Sequence, residues 1–206
     1  AQNAGVALFA SWHSKFAPMF DMAREWIDEK CCDHFRISLK EKVLEWHPGQ
    51  KWVSKSGGFG VLDPGINAFS ILNAIFDLDF VFEKVSFNKP SNWETPIAAS
   101  FQMRAPTGLV GEVSFDWLTS GPDIWEVRFF SGPDKMVLSH GGHKMIVNDE
   151  PVGTQLPQTG EYMALYNHFS DLVRNRISDF NIVPLRFVER LYEGACWEEV
   201  EAFRIA

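Results

Sequence analysis

Asp63 and Asn67 are the residues of this chain best placed to do chemistry. They stand in Gly57-Gly58-Phe59-Gly60-Val61-Leu62-Asp63-Pro64-Gly65-Ile66-Asn67. A carboxylate can accept a proton or orient a hydroxyl. An amide can donate to one oxygen and accept from another, but it cannot act as a base. Asp63 followed by Pro64 predicts a helix start: the carboxylate can cap free N–H groups, and proline suits the first turn. From there Asp63, Asn67, Ser70 and Asp77 fall on one side of the helix. Ile66, Phe69, Ile71, Leu72, Ile75 and Phe76 make the remainder too apolar for a surface helix. Such a buried helix has either a narrow wet face or one wall of a polar pocket. The glycines before it let backbone or ligand approach closely.

The elements that must hold this helix are legible as periodicity. Phe16, Met19, Phe20, Ala23, Trp26 and Ile27 predict a helix over 14–30. Residues 35–45 read as a strand with a charged face of Arg36, Lys40 and Lys42, and Trp46 to Trp52 as a turn-rich loop. After the Asp63 helix, alternating runs predict strands at 81–87, 97–103, 112–117, 125–129, 136–138 and 145–147. Turn signals at Pro106-Thr107-Gly108, Gly121-Pro122 and Gly132-Pro133 connect them as an antiparallel meander. Tyr162, Leu165, Tyr166, Phe169, Leu172 and Val173 give one side of a helix over 161–175, and a last helix covers about 184–194. The expected class is α+β: an open, mostly antiparallel sheet with helices on one face. Val6 to Ala10 reads as a strand entered mid-domain.

Length and composition set the outer limits. The 206 residues suit one sizeable domain or two small ones, and 46% hydrophobic with 14% aromatic residues implies a packed core. A net charge of −8 argues against nonspecific nucleic-acid binding and against an anionic membrane surface. Cys31, Cys32 and Cys196 make no disulfide framework and read as reduced cytoplasmic thiols. No run is long and apolar enough to span a membrane. His140 and His143 flank two glycines, too poor a pattern for a metal site. Asn73, Trp93, Trp117 and Trp125 read as packing or interface residues.

Three segments carry a family likeness: Trp12-His13-Ser14, Trp46-His47-Pro48-Gly49-Gln50, and the Gly57–Asn67 segment. Through them the chain resembles the glucose-fructose oxidoreductase / inositol dehydrogenase family, in particular its D-galactose and L-arabinose 1-dehydrogenase branch. The family pattern ends in histidine where this sequence has Asn67, as in that branch.

The resemblance implies residues 14–206 as a substrate-binding and oligomerisation domain of the dihydrodipicolinate-reductase-like type, preceded over 1–13 by the last strand of a Rossmann domain that is otherwise missing. It implies an aldose oxidised to an aldonolactone, and NADP or NAD held mainly by the missing domain, so that the chain alone is inactive. Asp63 and Asn67 become the groups nearest C1. With asparagine in place of histidine, the base role shifts to Asp63, an upstream lysine or water. Trp46 suits the C–H side of a pyranose and His47 its hydroxyls. His13, at the end of the first strand, is a third substrate contact. Asn88-Lys89-Pro90 resembles the family's Glu-Lys-Pro, but it comes after the Asp63 helix and Lys89 reads as a surface turn residue. The expected partners are an aldose and further copies of the chain across the sheet's outer face. A nonenzymatic sugar-sensing regulator of the same fold is the alternative.

Overall fold

The computed structural model describes residues 2–153 and 159–205. Pro18 divides the helix expected over 14–30. Proline offers no N–H and pushes its predecessor out of helical geometry. His13–Phe16 therefore forms a short 3-10 turn, and helix α1 runs over Phe20–Lys30. Strand β1 (His34–Lys40) stops before a short helix, α2 (Val43–Trp46), where the strand was expected to continue. Helix α3 spans Leu62–Phe76 and ends at Asp77, whose φ of 44° is left-handed.

Strands β2 (Val81–Pro90), β3 (Ala98–Arg104), β4 (Val110–Asp116), β5 (Ile124–Ser131), β6 (Asp134–Ser139) and β7 (Lys144–Val147) lie close to the alternating runs. Strand β8 (Glu150–Val152) comes next, then helices α4 (Thr159–Asn175) and α5 (Val183–Gly194), and finally strand β9 (Cys196–Val200). Lys89 lies within β2 rather than in a turn, half-buried, with Nζ 3.9 Å from Glu199 Oε2.

The sheet corrects the expected fold class. Its nine strands run β8-β7-β6-β5-β1-β4-β3-β2-β9. Strand β1 sits between β5 and β4 and is parallel to β4, and β9 is parallel to β2. The sheet is mixed, not an antiparallel meander. Alternation reveals a strand and its buried face, but it carries no information on which distant strand is the neighbour.

The expected strand at 6–10 does not form either. Phe9 makes a single bridge to Asp179, and Val6 and Leu8 are exposed. A strand needs a ladder of partners, and this segment has one.

Register places the core. Ile37 lies between Val113 of β4 and Val127 of β5, and Leu39 lies beside Phe115; all are buried. Phe69 of α3 meets Phe101, Phe115 and Phe187 of α5 at ring-centroid distances of 6.0, 5.8 and 6.0 Å. Gly65 lets α3 lie this low, because a Cβ there would stand 2.4 Å from the Phe115 ring. Trp93 and Trp117 are buried as expected of packing residues. The opposite sheet face carries Arg36, Ser100, Ser114 and Arg128, all exposed.

The stripe on α4 is only partly covered. Leu165 and Leu172 are buried, while Tyr162, Tyr166, Phe169 and Val173 are exposed. Helical spacing reports that an apolar face exists and not what covers it. No helix among the described residues is long and apolar enough to cross a membrane.

Candidate functional site

The approach to α3 is set by backbone contacts. Gly60 has φ of +57°, and a Cβ on it would meet Pro96 O at 2.1 Å. A Cβ on Gly58 would meet Trp52 O at 2.1 Å. The close approach the glycines permit is therefore protein against protein. This segment is not the open backbone cradle that a dinucleotide pyrophosphate needs. Val61 donates its N–H to Pro96 O at 2.9 Å, and Asp63 donates its own to Gly60 O at 3.0 Å. The helix start is thus fixed from outside.

Asp63 is the second residue of α3, and the capping position falls on Val61 with no side-chain cap. The expected capping role for Asp63 does not hold. Its carboxylate still benefits from the helix's positive end, but burial pushes its pKa above the ordinary carboxylate value. The nearby His47 opposes that rise and Glu41 reinforces it. Asn67, one turn further on, is half-buried, and its carbonyl accepts from Ser70 Oγ at 2.7 Å.

Glu41 leaves the end of β1 with its N–H bonded to Asp116 O at 3.1 Å. Its Oε1 accepts the Trp117 indole N–H at 2.8 Å and lies 3.7 Å from His47 Nε2, an ion-pair rather than a hydrogen-bond distance. The His47 ring packs against Trp117, centroids 4.9 Å apart, and its Nδ1 is 3.2 Å from Gln50 Oε1. The Glu41 carboxylate holds the imidazole's pKa above its usual value against the opposing effect of burial. Trp46, beside His47, is 58% exposed and donates its indole N–H to Asp123 Oδ2 at 2.8 Å.

A cavity of about 440 Å³ opens beside this cluster, with His13, Glu41, Trp46, Trp125, Glu161 and Tyr162 among its walls. His13 Nδ1 contacts Glu161 Oε1, and its ring stacks on Tyr162 at 5.5 Å and 15°. Glu161, in the first turn of α4, is only 5% exposed, and its other oxygen lies 3.4 Å from His143 Nε2.

Of the five site residues expected from sequence, His13 and Trp46 line the cavity and Asp63, Asn67 and His47 do not. His47 and Asp63 connect to it through Glu41, which lines it. His13 lies in the 3-10 turn rather than at a strand end.

Sequence reading missed Glu41 and Glu161 and took Trp125 for a packing or interface residue. Glu41 stands between Lys40 and Lys42 and looks solvated, while a glutamate at a helix start looks like an ordinary dipole partner. Among the described residues no group of three His, Cys, Asp or Glu is arranged to hold a metal ion.

Comparison with known proteins bears on this arrangement. The chain matches no protein-family model. It is 34% identical over 188 residues to galactose 1-dehydrogenase of Pseudomonas fluorescens, covering 91% of this chain and 61% of that protein. Among solved structures it is similar to D-galactose-1-dehydrogenase from Rhizobium etli, with TM-score 0.91 and 34% identity over 99% of this chain and 65% of that one. The 3-ketoreductase KijD10 from Actinomadura kijaniata, solved with NADP and TDP-benzene, shares the fold at TM-score 0.80 and 14% identity, covering 97% of this chain and 66% of that one.

The chain thus spans a little under two thirds of the length of the relatives it matches. The reading of residues 1–13 as all that is left of an otherwise missing Rossmann domain is withdrawn. Its strand is not formed, and the likeness to the Rhizobium etli dehydrogenase runs through nearly the whole chain.

Proposed function

Because the chain belongs to the glucose-fructose oxidoreductase / inositol dehydrogenase family, we propose that it carries the sugar site of an aldose 1-dehydrogenase. The substrate is D-galactose or L-arabinose, and the product is the aldonolactone. The observation that carries this reading is the cluster of Asp63, His47 and Glu41 beside a tryptophan-walled cavity. Oxidation at C1 removes the hydroxyl proton as hydride leaves the carbon, and NAD or NADP supplies the hydride acceptor. The protein's part is to orient the ring and receive the proton. Asp63 is the proton acceptor. Asn67 donates to a sugar oxygen and cannot be the base. His13 and Trp46, which line the cavity, hold the ring, and His47 supports that wall through Glu41.

The test is spectroscopic. The protein, expressed from its full reading frame, is expected to form reduced nicotinamide with D-galactose or L-arabinose and either NAD or NADP. No reduction with any aldose in either cofactor would overturn the reading.

Trp46 allows a narrower test. Most of its surface faces solvent, so Trp46→Ala is expected to fold normally. It removes contact made equally in ground and transition states. KM for the aldose is expected to rise about tenfold with kcat within about twofold, as for loss of uniform binding. An unchanged KM would remove Trp46 from the sugar site.

A further inference from the structure

We propose that Glu161 is a positioning residue for the aldose site: it fixes the His13 ring proton on Nδ1 and so leaves Nε2 to accept a hydrogen bond from a sugar hydroxyl. This rests on the reading of His13 as a substrate contact. Burial is the first observation. Glu161 stands in the first turn of α4 and is 5% exposed. A carboxyl group withdrawn this far from water persists where its oxygens find partners. Both of them face imidazole: Oε1 contacts His13 Nδ1, and Oε2 lies 3.4 Å from His143 Nε2. The two rings come from separate turns, His13 from the one that precedes α1 and His143 from the one that follows β6.

The placing of protons follows from what each atom can do. His143 Nδ1 lies 2.9 Å from His140 O, a carbonyl that only accepts, so Nδ1 carries hydrogen and Nε2 is the atom turned to Glu161. A proton between Glu161 and His143 belongs to Nε2 or to Oε2. In both arrangements Oε1 has no hydrogen and acts as an acceptor. The His13 nitrogen that meets it is therefore the N–H, and the neutral ring keeps its lone pair on Nε2.

Orientation is fixed by the same helix. Tyr162, the next residue, stacks on the His13 ring with centroids 5.5 Å apart and planes at 15°. Helix α4 thus holds the imidazole by one edge and by one face. The His13 side chain is 34% exposed against 7% for Glu161, so the imidazole is the partner open to a ligand. All three residues line the cavity with Trp46 and Trp125. A sugar hydroxyl brings its own hydrogen and needs an acceptor. An N–H at Nε2 would leave that hydrogen unpaired against a desolvated wall, which costs about tenfold in binding.

The experiment uses the protein expressed from its full reading frame. Nitrogen-15 NMR of the histidine rings, with His13 assigned by its loss in His13→Ala, reads which ring nitrogen bears hydrogen at the alkaline end of the titration. Wild type is expected to show Nδ1 protonated and Nε2 bare. Glu161→Gln keeps the side chain's size, but an amide can present either oxygen or NH₂ to the ring and no longer dictates the tautomer. It is expected to raise KM for the aldose about tenfold with kcat within about twofold. In the His13→Ala background the same substitution is expected to change KM less than twofold, since its effect passes through the ring.

A wild-type His13 with its proton on Nε2 overturns the proposal without needing any Glu161 variant. An unchanged KM in Glu161→Gln overturns it too, as does an equal rise in KM with and without His13. His13→Ala separates this failure from that of the site reading. If His13→Ala raises KM while Glu161→Gln does not, only the role of Glu161 falls. If His13→Ala leaves KM unchanged, the reading of His13 as a sugar contact falls, and the role of Glu161 with it.

Discussion

Asp63→Asn is expected to lower kcat/KM for the aldose by about 10² to 10⁴-fold, the range for removing a positioned general base. The substitution is nearly isosteric. It keeps a side chain that can hydrogen-bond to a sugar hydroxyl and removes the ability to receive the proton. Because the base must be ionised, and burial raises the Asp63 pKa, wild-type activity is expected to rise with pH as this carboxylate loses its proton.

The same shift fixes the sign of the stability effect. The native state holds the Asp63 proton more tightly than the unfolded chain does. Stability is therefore lost as pH rises from the unfolded carboxylate value through the native one. Above that window the folded protein carries a desolvated charge, offset in part by His47. Asparagine removes that cost and forfeits a helix-end interaction of about 0.3–1 kcal/mol. The variant is expected to be inactive yet about as stable as wild type, the pattern of a site residue kept for function. Initial rates of reduced-cofactor formation and a thermal melt of the same sample check both halves. Retention of kcat/KM within about threefold of wild type would remove Asp63 from the chemistry.

Asp63 and Asn67 were legible because a helix writes its faces into sequence with a fixed period, and two polar residues four apart in an otherwise apolar segment stand out. The first six long strands were legible through the period of two. Strand β9 was not. Its Cys196, Trp197, Glu198 and Glu199 are all exposed, so the alternation that marks a half-buried strand never arises. The position of β1 between β5 and β4 was equally hidden, since register follows from packing across the sheet and not from either strand alone.

The electrostatic partners were the least visible part of the site. Glu41 is silent in the sequence because its role depends on the Trp117 indole and the His47 ring, brought to it by different elements. The same holds for Glu161, which two histidines reach from distant segments. A carboxylate's function is set by its neighbours, and neighbours far apart in sequence leave no local pattern.

Gly60→Ala is expected to cost about 3 kcal/mol of stability or more, by two separate routes. Its φ of +57° is left-handed, which penalises any residue with a Cβ by about 1–2 kcal/mol. The added carbon would also meet Pro96 O at 2.1 Å. That atom belongs to backbone and cannot rotate aside, so the loop must shift, at a further cost of about 1–3 kcal/mol. At roughly 2–4 °C per kcal/mol for a chain of this size, the midpoint of thermal unfolding falls by about 6–12 °C.

The shift reaches the chemistry too. Gly60 O accepts the Asp63 N–H, and Val61 N–H bonds Pro96 O, so moving Gly60 off Pro96 moves the first turn of α3. A displacement of about 1 Å there can cost about 10²-fold in rate. Gly57→Ala isolates the conformational part: its φ is +84°, but no atom lies within 4 Å of the added carbon. It is expected to lose about 1 kcal/mol and keep nearly full activity. Matched melts and rates of the two variants decide the point. If Gly60→Ala proves as stable and as active as Gly57→Ala, the contact with Pro96 does not hold Asp63 in place.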